Sequence, residues 1–316
     1  MDRWVRSLRR SKVSPSSDRP IAVSHEVERR LGGTTRDAST VFLAGAECPF
    51  SCVFCDLWTQ TLSGPTPPGA LSRQLTHALC EIQQRALIKL YNAGNFFDPT
   101  AVPPTEDAPL LRLLEGFEQV TVECHPRFIG ERCFAFADRL RGELEVAIGL
   151  ETVHPEALPR LNKQMTLADF DTTASALAAR GVGLRAFALL GCPFVPHDEQ
   201  LDWTIRTVEH AVASGARTAS IIPVRGGNGA LESLAAAGDW ARVTLDLVEE
   251  TFDRVLRLNL EDAVVQMDLW DLERVSDCAH CFDARRRRLG AMNLSGRSEP
   301  HVACAWCGAS VGLDRP

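Results

Sequence analysis

Seven of the eleven cysteines fall into two tight groups, and these groups are the strongest chemical signal in the chain. The first group, Cys48, Cys52 and Cys55, places three thiols within eight residues. Thiolates select zinc, Cu(I) or iron–sulfur clusters. A structural zinc ion would need a fourth ligand, and Asp56 is the closest candidate in the sequence. A four-iron cluster with three protein ligands instead leaves one iron open to a small molecule.

The second group consists of two C-x2-C pairs separated by 22 residues, Cys278 with Cys281 and Cys304 with Cys307. Four thiolates complete a tetrahedral zinc site, and the same four ligands can hold an auxiliary [4Fe–4S] cluster. Gly308 after the second pair favours the knuckle of a zinc ribbon. A segment this small needs a metal in order to fold.

The composition is that of a globular protein, with 45% hydrophobic and 24% charged residues. The net charge of −7 gives no global attraction to nucleic acid or to an anionic membrane. No apolar stretch approaches the ~20 residues that span a bilayer, and no apolar segment follows the basic N-terminus. We therefore expect a cytoplasmic protein, in which clustered cysteines bind metal or catalyse rather than form disulfides.

Short apolar runs alternate with stretches of helical periodicity as far as residue 262, which predicts parallel strands covered by helices. Six such units predict an α/β fold, a partial (β/α)6 TIM-like barrel over residues 39–262. A basic arm (1–38) precedes it, and a small zinc-ribbon-like metal-binding module (263–316) follows. The predicted strands are 40–44, 87–91, 119–123, 144–150, 183–190 and 219–224, and the predicted helices are 72–85, 109–117, 131–141, 167–180, 199–214 and 231–256.

Functional groups in such a sheet are expected at the carboxyl ends of the strands. The sequence fits this rule, because each predicted strand is followed by polar, glycine or cysteine residues. In strand order these are the first cysteine group, 92–95, Cys124-His125, Glu151-Thr152, Cys192-Pro193 and Arg225-Gly226-Gly227.

The C-x3-C-x2-C spacing after the first strand resembles the signature of the radical S-adenosylmethionine (SAM) superfamily. The resemblance implies that Cys48, Cys52 and Cys55 hold a [4Fe–4S] cluster, which cleaves SAM to methionine and a 5′-deoxyadenosyl radical. It also implies an external electron donor, a reductase or flavodoxin-type protein. By position in the superfamily pattern, the residues expected to contact SAM are Phe54, Asn92, Gly94, Asn95, Glu151, Arg185, Ile222 and Pro223.

Two of these positions have an ordinary structural alternative. Glu151 could form an ion pair at the end of its strand, and Gly94 could serve a plain turn. The turn at 92–95 also departs from the commoner Gly-Gly-Glu form of the superfamily.

Residues 40–225 further resemble one branch of the superfamily, which includes the archaeosine-synthesis radical SAM protein and, more distantly, the elongator catalytic subunit. The resemblance implies radical chemistry on a modified base in tRNA. The matching segments are 92–99 with S-G-S-F-x-D-P, 122–129 with V-E-S-R-P-E-F-I, 148–152 with I-G-L-E-T, 161–163 with I-N-K-G, and 189–194 with L-L-K-P-P-F.

Four residues depart from that branch at strand ends, and three of them, Cys124, His125 and Cys192, are candidates for catalysis. Cys124 and His125 stand where the branch has Ser and Arg, and Gly191-Cys192 stands where it has Lys-Pro. A thiol near the radical could donate a hydrogen atom, and His125 could act as an acid or base. Buried packing thiols and a structural hydrogen bond are the alternatives.

Three functions remain open from the sequence. A nucleoside in tRNA is favoured by the branch resemblance, by the basic run Arg285–Arg288 and by the basic N-terminus, because arginines grip phosphates. The run could also be a solvated helix face. A small biosynthetic molecule is favoured by the acidic net charge and the altered strand ends. A non-catalytic RNA-binding module would need a fourth protein ligand for the first cysteine group.

Overall fold

Eight strands form one sheet in which the spatial order follows the order along the chain. The computed structural model describes residues 1–83, 86–92 and 94–308. The end of the predicted helix 72–85, Ala93 of the predicted SAM turn and residues 309–316 of the predicted module lie outside the described residues. The strands are β1 (Ala22–Arg29), β2 (Thr35–Phe42), β3 (Leu87–Tyr91), β4 (Gln119–Glu123), β5 (Glu143–Glu151), β6 (Gly183–Leu190), β7 (Thr218–Pro223) and β8 (Val264–Met267).

Strands β2 to β8 run parallel, and β1 alone pairs antiparallel with β2. The sheet curls into a partial barrel with helices outside, so the predicted α/β class is confirmed. The helices are α1 (Asp2–Ser7), α2 (Ala70–Leu79), α3 (Asp107–Leu113), α4 (Glu131–Arg139), α5 (Ala157–Arg160), α6 (Leu167–Ala179), α7 (Gln200–Ala213), α8 (Ala230–Ala237), α9 (Leu245–Arg257) and α10 (Ala279–Ser295).

The predicted helix 231–256 is wrong, because two helices occupy that range. Gly238 ends α8 in the left-handed conformation, with φ of 79°. Glycine adopts this conformation at low cost and is common just after a helix. Helix α9 then begins at Leu245, and the hydroxyl of Thr244 just before it accepts a hydrogen bond from the Leu247 N–H.

The N-terminal range predicted as an arm contains strand β1 and the first half of β2. The sequence analysis missed β1 because this strand does not alternate apolar and polar residues. The side chain that it buries is the charged Glu28. Glu28 is 4% exposed and pairs with Lys89 of β3 at 3.0 Å and with Arg185 of β6. Strands β1 and β6 are not neighbours in the sheet, so this pair must cross the barrel interior.

A layer of buried charged side chains therefore lies inside the barrel, on the side away from the carboxyl ends of the strands (the lower part of the barrel). This layer connects the two edge strands, β1 and β8. Arg185 also donates to Glu145 of β5 at 2.8 Å, and Gln266 of β8 donates to Glu28 of β1 at 3.1 Å. Outside the barrel, α10 packs against both β1 and β8 and covers the seam between these edge strands. Among the described residues, no helix is long and apolar enough to span a bilayer.

Candidate metal centres and the barrel mouth

The loop that carries Cys48, Cys52 and Cys55 follows β2 at the carboxyl edge of the sheet. Side chains from two other loops hold its backbone. Asn162 donates to the Ser51 carbonyl at 2.7 Å, and Asn228 donates to the Val53 carbonyl at 2.8 Å. Asn162 lies between β5 and β6, and Asn228 follows β7, so distant parts of the sequence fix the cysteine loop. Sequence reasoning missed both asparagines, since neither carries a metal-ligand signal.

The basic N-terminal segment also fastens this loop. Arg9 and Lys12 form ion pairs with Glu47 at 2.5 and 3.1 Å, and Glu47 immediately precedes Cys48. The Arg9 guanidinium also lies 4.8 Å from the ring centre of Trp58. Burial opposes ionisation of Glu47, but its hydrogen bonds to Arg9 and Lys12 outweigh burial and hold its pKa below the ordinary value. These two cations therefore serve the cysteine loop and are not free to grip phosphates.

The three thiols are recessed and protonated when no metal is bound. Burial raises the pKa of all three, to about 12 for Cys55. The Asn95 amide donates to the Cys48 sulfur at 3.3 Å. A metal centre must displace the thiol protons in order to bind here, which couples its affinity to pH.

A buried ion pair lies next to the thiols. The Lys163 ammonium contacts the Glu151 carboxylate at 2.7 Å, and its charge partly offsets the rise in the pKa of Cys52 that burial causes. Burial disfavours the charged ammonium, yet Glu151 more than compensates and raises the pKa of Lys163. Gly149 makes room for the pair, because a Cβ there would collide with the Glu151 carboxylate. The ion-pair alternative for Glu151 is therefore present in the structure.

Two charged residues of this region were not predicted as site residues, although both occur in the matched segments. Lys163 was one of these, and Glu123 at the end of β4 was the other. Burial raises the pKa of Glu123 to about 7, an effect that Lys163 opposes and Glu151 reinforces. The signal that could have found them is their position after parallel strands in the same sheet.

The turn after β3 presents polar groups toward the cysteine loop. The side-chain amide oxygen (Oδ1) of Asn95 accepts the backbone N–H of His125 at 2.7 Å. Asn92 is fully buried, and neither amide atom has a hydrogen-bond partner among the described residues. Buried amides are normally paired, so this orphaned amide fits a polar ligand at the turn. A Cβ on Gly94 would lie 3.2 Å from the Ala46 carbonyl, which favours glycine there.

His125 is engaged at both ring nitrogens. Nδ1 accepts the Arg127 N–H at 3.1 Å, so Nε2 carries the hydrogen that is donated to the Lys163 carbonyl, also at 3.1 Å. The ring packs on Phe50 with 4.2 Å between centroids, and burial lowers its pKa to about 4. The structural hydrogen bond predicted as the alternative is present, and the ring braces the turn that carries Lys163.

The two cysteines predicted as hydrogen-atom donors lie in the hydrophobic core. Cys124 is 4% exposed and Cys192 is 2% exposed. Burial raises the pKa of both thiols. Their surroundings match the packing alternative.

Arg185 lies away from the cysteine loop, although it was predicted to contact SAM. It precedes the end of β6 by five residues, or about 16 Å at the rise of a strand. Its guanidinium is fixed by Glu28, Glu145 and Gln266 in the lower barrel. The prediction for Arg185 therefore fails, because its charge neutralises buried carboxylates. The other predicted contacts stand at the mouth, with Ile222 and Pro223 ending β7 and Phe54 beside the third cysteine.

Aromatic rings line the barrel above the charged layer. Tyr91 of β3 and Phe187 of β6 meet edge to face at 6.4 Å between centroids, across the interior. Phe42 contacts Tyr91 at 6.2 Å and Trp270 at 5.3 Å. Phe42, Tyr91 and Phe187 are partly exposed, and Trp270 is exposed.

The C-terminal cysteines form a compact quartet. All four sulfurs lie within 4.8 Å of one another, with 3.9 Å between Cys278 and Cys304 and 3.7 Å between Cys281 and Cys307. A zinc–sulfur bond of about 2.3 Å gives a tetrahedral sulfur–sulfur edge of about 3.8 Å. A four-iron cube carries one thiolate at each corner and holds them farther apart. The geometry therefore fits one metal ion.

The first pair of this quartet begins helix α10, and the second pair lies in a turn. Backbone N–H groups of Cys307 and Trp306 donate to the Cys304 sulfur and lower its pKa to about 7. Within the described ranges, the quartet is the one group of metal-ligating side chains gathered closely enough for a single ion. Cys48, Cys52 and Cys55 are more widely spread, as a cluster larger than an ion requires.

The run Arg285–Arg288 divides into two buried and two exposed residues. Arg285 pairs with Glu249 at 2.6 Å, and Arg288 pairs with Asp253 at 2.8 Å, which fastens α10 to α9. The side chains of Arg286 and Arg287 are exposed. Two of the four arginines thus form ion pairs that stabilise the fold. The prediction that all four bind phosphates is wrong.

Several solved structures have a fold similar to that of this chain. Streptococcus suis SuiB bound to S-adenosylmethionine has a TM-score of 0.52 and 13% identity over 76% of this chain and 50% of its own. Elp3 of the archaeon Methanocaldococcus infernus has a TM-score of 0.52 and 12% identity over 72% and 60%. A spore photoproduct lyase variant has a TM-score of 0.52 and 10% identity over 71% and 75%.

The chain shares the fold of SuiB, Elp3 and spore photoproduct lyase. It spans about half the length of SuiB. No protein-family model and no curated protein matches the sequence. The shared fold places the cysteine loop at the edge of the sheet where such folds carry their functional groups.

Proposed function

We propose that this chain is a radical SAM enzyme. The observation that carries the proposal is the three-thiol loop, recessed at the mouth of a barrel with the radical SAM fold. Three spread thiols leave a ligand position open on a four-iron cluster, whereas the compact quartet elsewhere leaves none.

Residues around the loop fit the groups of SAM. The orphaned Asn92 amide and the small Gly94 suit the methionine moiety, and Lys163 supplies a fixed positive charge beside Glu151. Phe54, Ile222 and Pro223 offer apolar contact to the adenine at the same edge. When bound, the reduced cluster supplies the electron that cleaves SAM to methionine and a 5′-deoxyadenosyl radical. The protein binds, orients and excludes water from the reacting groups.

The electron comes from an external reductase or flavodoxin-type donor. The test is anaerobic reconstitution followed by a dithionite-driven assay for 5′-deoxyadenosine, with Cys52→Ala as the control. Release by the native chain and its loss in the variant would support the proposal. Neither SAM binding nor cleavage by the fully loaded native chain would overturn it.

We further propose a nucleoside in tRNA as the substrate, so that the enzyme is a nucleoside-modifying lyase or transferase. Two features support this: the branch resemblance over residues 40–225 and the partly exposed aromatic rings of β2, β3 and β6. Phe42, Tyr91 and Phe187 suit a planar ring, because aromatic side chains stack favourably on nucleobases.

A small biosynthetic molecule is the second candidate, favoured by the burial of Arg285 and Arg288. The mobility of unmodified tRNA on the protein, measured across a salt series, separates the two. Binding that weakens steeply with salt supports tRNA. A tRNA that stays free at low salt supports the small molecule.

We propose zinc for the C-terminal quartet, because its sulfur–sulfur distances match a tetrahedral ion. The ion would fix the start of α10 to residues 304–307. Arg288 reinforces this closure by donating to the Glu299 carbonyl at 2.9 Å, and His301 lies 3.1 Å from Asp253.

A further inference from the structure

An exposed pair of stacked rings stands on the C-terminal cysteine quartet. Trp306 is 76% exposed, the highest exposure of any tryptophan in the described residues. Its ring stacks on His280 with 4.4 Å between centroids and 7° between planes. His280 lies between Cys278 and Cys281, and Trp306 lies between Cys304 and Cys307. The four sulfurs thus fix both rings, and one face of the stack remains open to a further planar group.

The stack is anchored on the mouth side of the barrel. The segment that links the carboxyl end of β8 to Cys278 is tied to the neighbouring loops by Arg242. Its guanidinium donates to the Arg274 carbonyl at 2.9 Å and to the Asp277 carboxylate at 2.5 Å. Arg274 in turn donates to the Gly226 carbonyl, which follows β7. The stack is therefore fixed to loops at the same edge of the sheet as the cysteine loop.

Two unpaired cations lie on α10 just beyond the stack. Arg286 and Arg287 are exposed, and neither has an ion-pair partner among the described residues. Arg287 lies seven residues after His280, two turns along the same helix face and about 10 Å along the axis. A ring platform followed by unpaired cations is the pattern that binds single-stranded nucleic acid, since bases stack on rings and phosphates pair with arginines.

We propose that His280, Trp306, Arg286 and Arg287 form a docking surface for single-stranded RNA. The occupant is argued from charge complementarity, because the exposed cations Arg286 and Arg287, which have no ion-pair partner among the described residues, match the phosphates of a single strand. A base would stack on the open face of Trp306 while neighbouring phosphates meet the arginines. The inference rests on the proposed tRNA substrate and adds a second contact region outside the barrel.

The test measures binding of a labelled 12-nucleotide oligouridylate by fluorescence anisotropy across a salt series. The reconstituted, zinc-loaded full chain is compared with three variants: Trp306→Ala, Trp306→Phe and Arg286→Gln/Arg287→Gln. A matched control, Arg112→Gln/Arg139→Gln, removes the same charge from exposed positions on α3 and α4. Zinc content is measured in each variant, so that loss of the fold is distinguished from loss of the surface.

Trp306→Ala should weaken binding about tenfold without changing the salt slope, and Trp306→Phe should restore most of the affinity. The arginine double variant should reduce the slope by about 1.4, two phosphates at about 0.7 each. Equal affinity of Trp306→Ala and the native chain, or an equal effect of the control pair, would overturn the proposal. SAM binding and cleavage are assayed separately. RNA binding with neither SAM binding nor cleavage contradicts the enzyme proposal, and cleavage without RNA binding contradicts this surface.

Discussion

The two cysteine groups of this chain use the same ligand atoms in opposite ways. Cys278, Cys281, Cys304 and Cys307 lie within 4.8 Å of one another and complete a closed tetrahedron. Cys48, Cys52 and Cys55 are spread along one loop, with a charged pair and an orphaned amide beside them. A closed site has no position left for a substrate, whereas an open site needs neighbouring residues that receive a ligand.

The contacts that hold the two cysteine groups in place also differ. Contacts from the N-terminal segment and from two distant loops hold the open group. The closed group is supported by α10 with its ion pairs to α9, and by the contacts of Arg242 with residues 274 and 277. The open group is thus held by segments from across the barrel, and the closed group mainly by the C-terminal part of the chain.

Alkylation of the metal-free protein should separate the two groups most strongly. Near pH 7 the Cys304 thiol is about half ionised, because its pKa is about 7, whereas the pKa of Cys55 is about 12. Since the thiolate is the nucleophile, although a more acidic thiolate is a weaker one, Cys304 should react at least about a hundredfold faster. Peptide mapping after iodoacetamide pulses, from pH 6 upward, measures the rates. Equal labelling of Cys55 and Cys304 at pH 7 would contradict the difference in burial.

Reciprocal ligand variants should remove one metal and keep the other. Cys52→Ser should lower the bound iron at least about tenfold and leave the zinc in place, because a cluster with two protein ligands is poorly held. Cys281→Ser should release zinc, keep the iron and lower the Tm by about 5–10 °C. Metal analysis and calorimetry under argon give both values. Loss of both metals in each variant would show that the two groups are not independent.

Gly149→Ala should weaken SAM binding about tenfold without loss of iron. The added Cβ would collide with the Glu151 carboxylate and displace the pair with Lys163. Gly130→Ala is the control, since its backbone is extended and a Cβ there would meet no atom within 4 Å. Equilibrium dialysis of SAM on the reconstituted variants gives the comparison, and unchanged affinity in Gly149→Ala would remove this pair from the proposed SAM site.

Glu47→Gln should have the smallest effect, a two- to threefold faster loss of iron to a chelator. The change removes the negative charge of residue 47, with which Arg9 and Lys12 pair next to Cys48. The hydrogen bonds that the two asparagines donate to the Ser51 and Val53 carbonyls remain. Glu250→Gln, which breaks an exposed pair with Arg254, is the matched control because such pairs contribute little. Identical release rates in the two variants would show that the N-terminal segment does not steady the loop.

Much of the fold was predictable because apolar parallel strands and their helices leave a clear pattern. The strands at 87–91, 119–123 and 183–190 agree with the sequence prediction residue for residue. Strand β1 was missed because Glu28 faces a charged barrel interior. The same charged layer explains the error at Arg185, whose side chain looked functional but neutralises buried carboxylates.

The parts of the site that depend on residue spacing could be predicted from the sequence. The parts that depend on contacts between distant segments could not. Spacing identified both cysteine groups. The roles of Asn162, Asn228 and Lys163 depend on loops that meet only after folding, so no local pattern marks them. Equally, nothing in the run Arg285–Arg288 shows that two of its residues turn toward α9.

The most direct test of an open and a closed metal site in one chain is the count of iron, sulfide and zinc after anaerobic reconstitution. About four irons, four sulfides and one zinc per chain are predicted, with the zinc lost only in variants of the C-terminal quartet. About eight irons with no zinc would show that the quartet takes a second cluster, and zinc without iron would contradict the radical SAM proposal at its root.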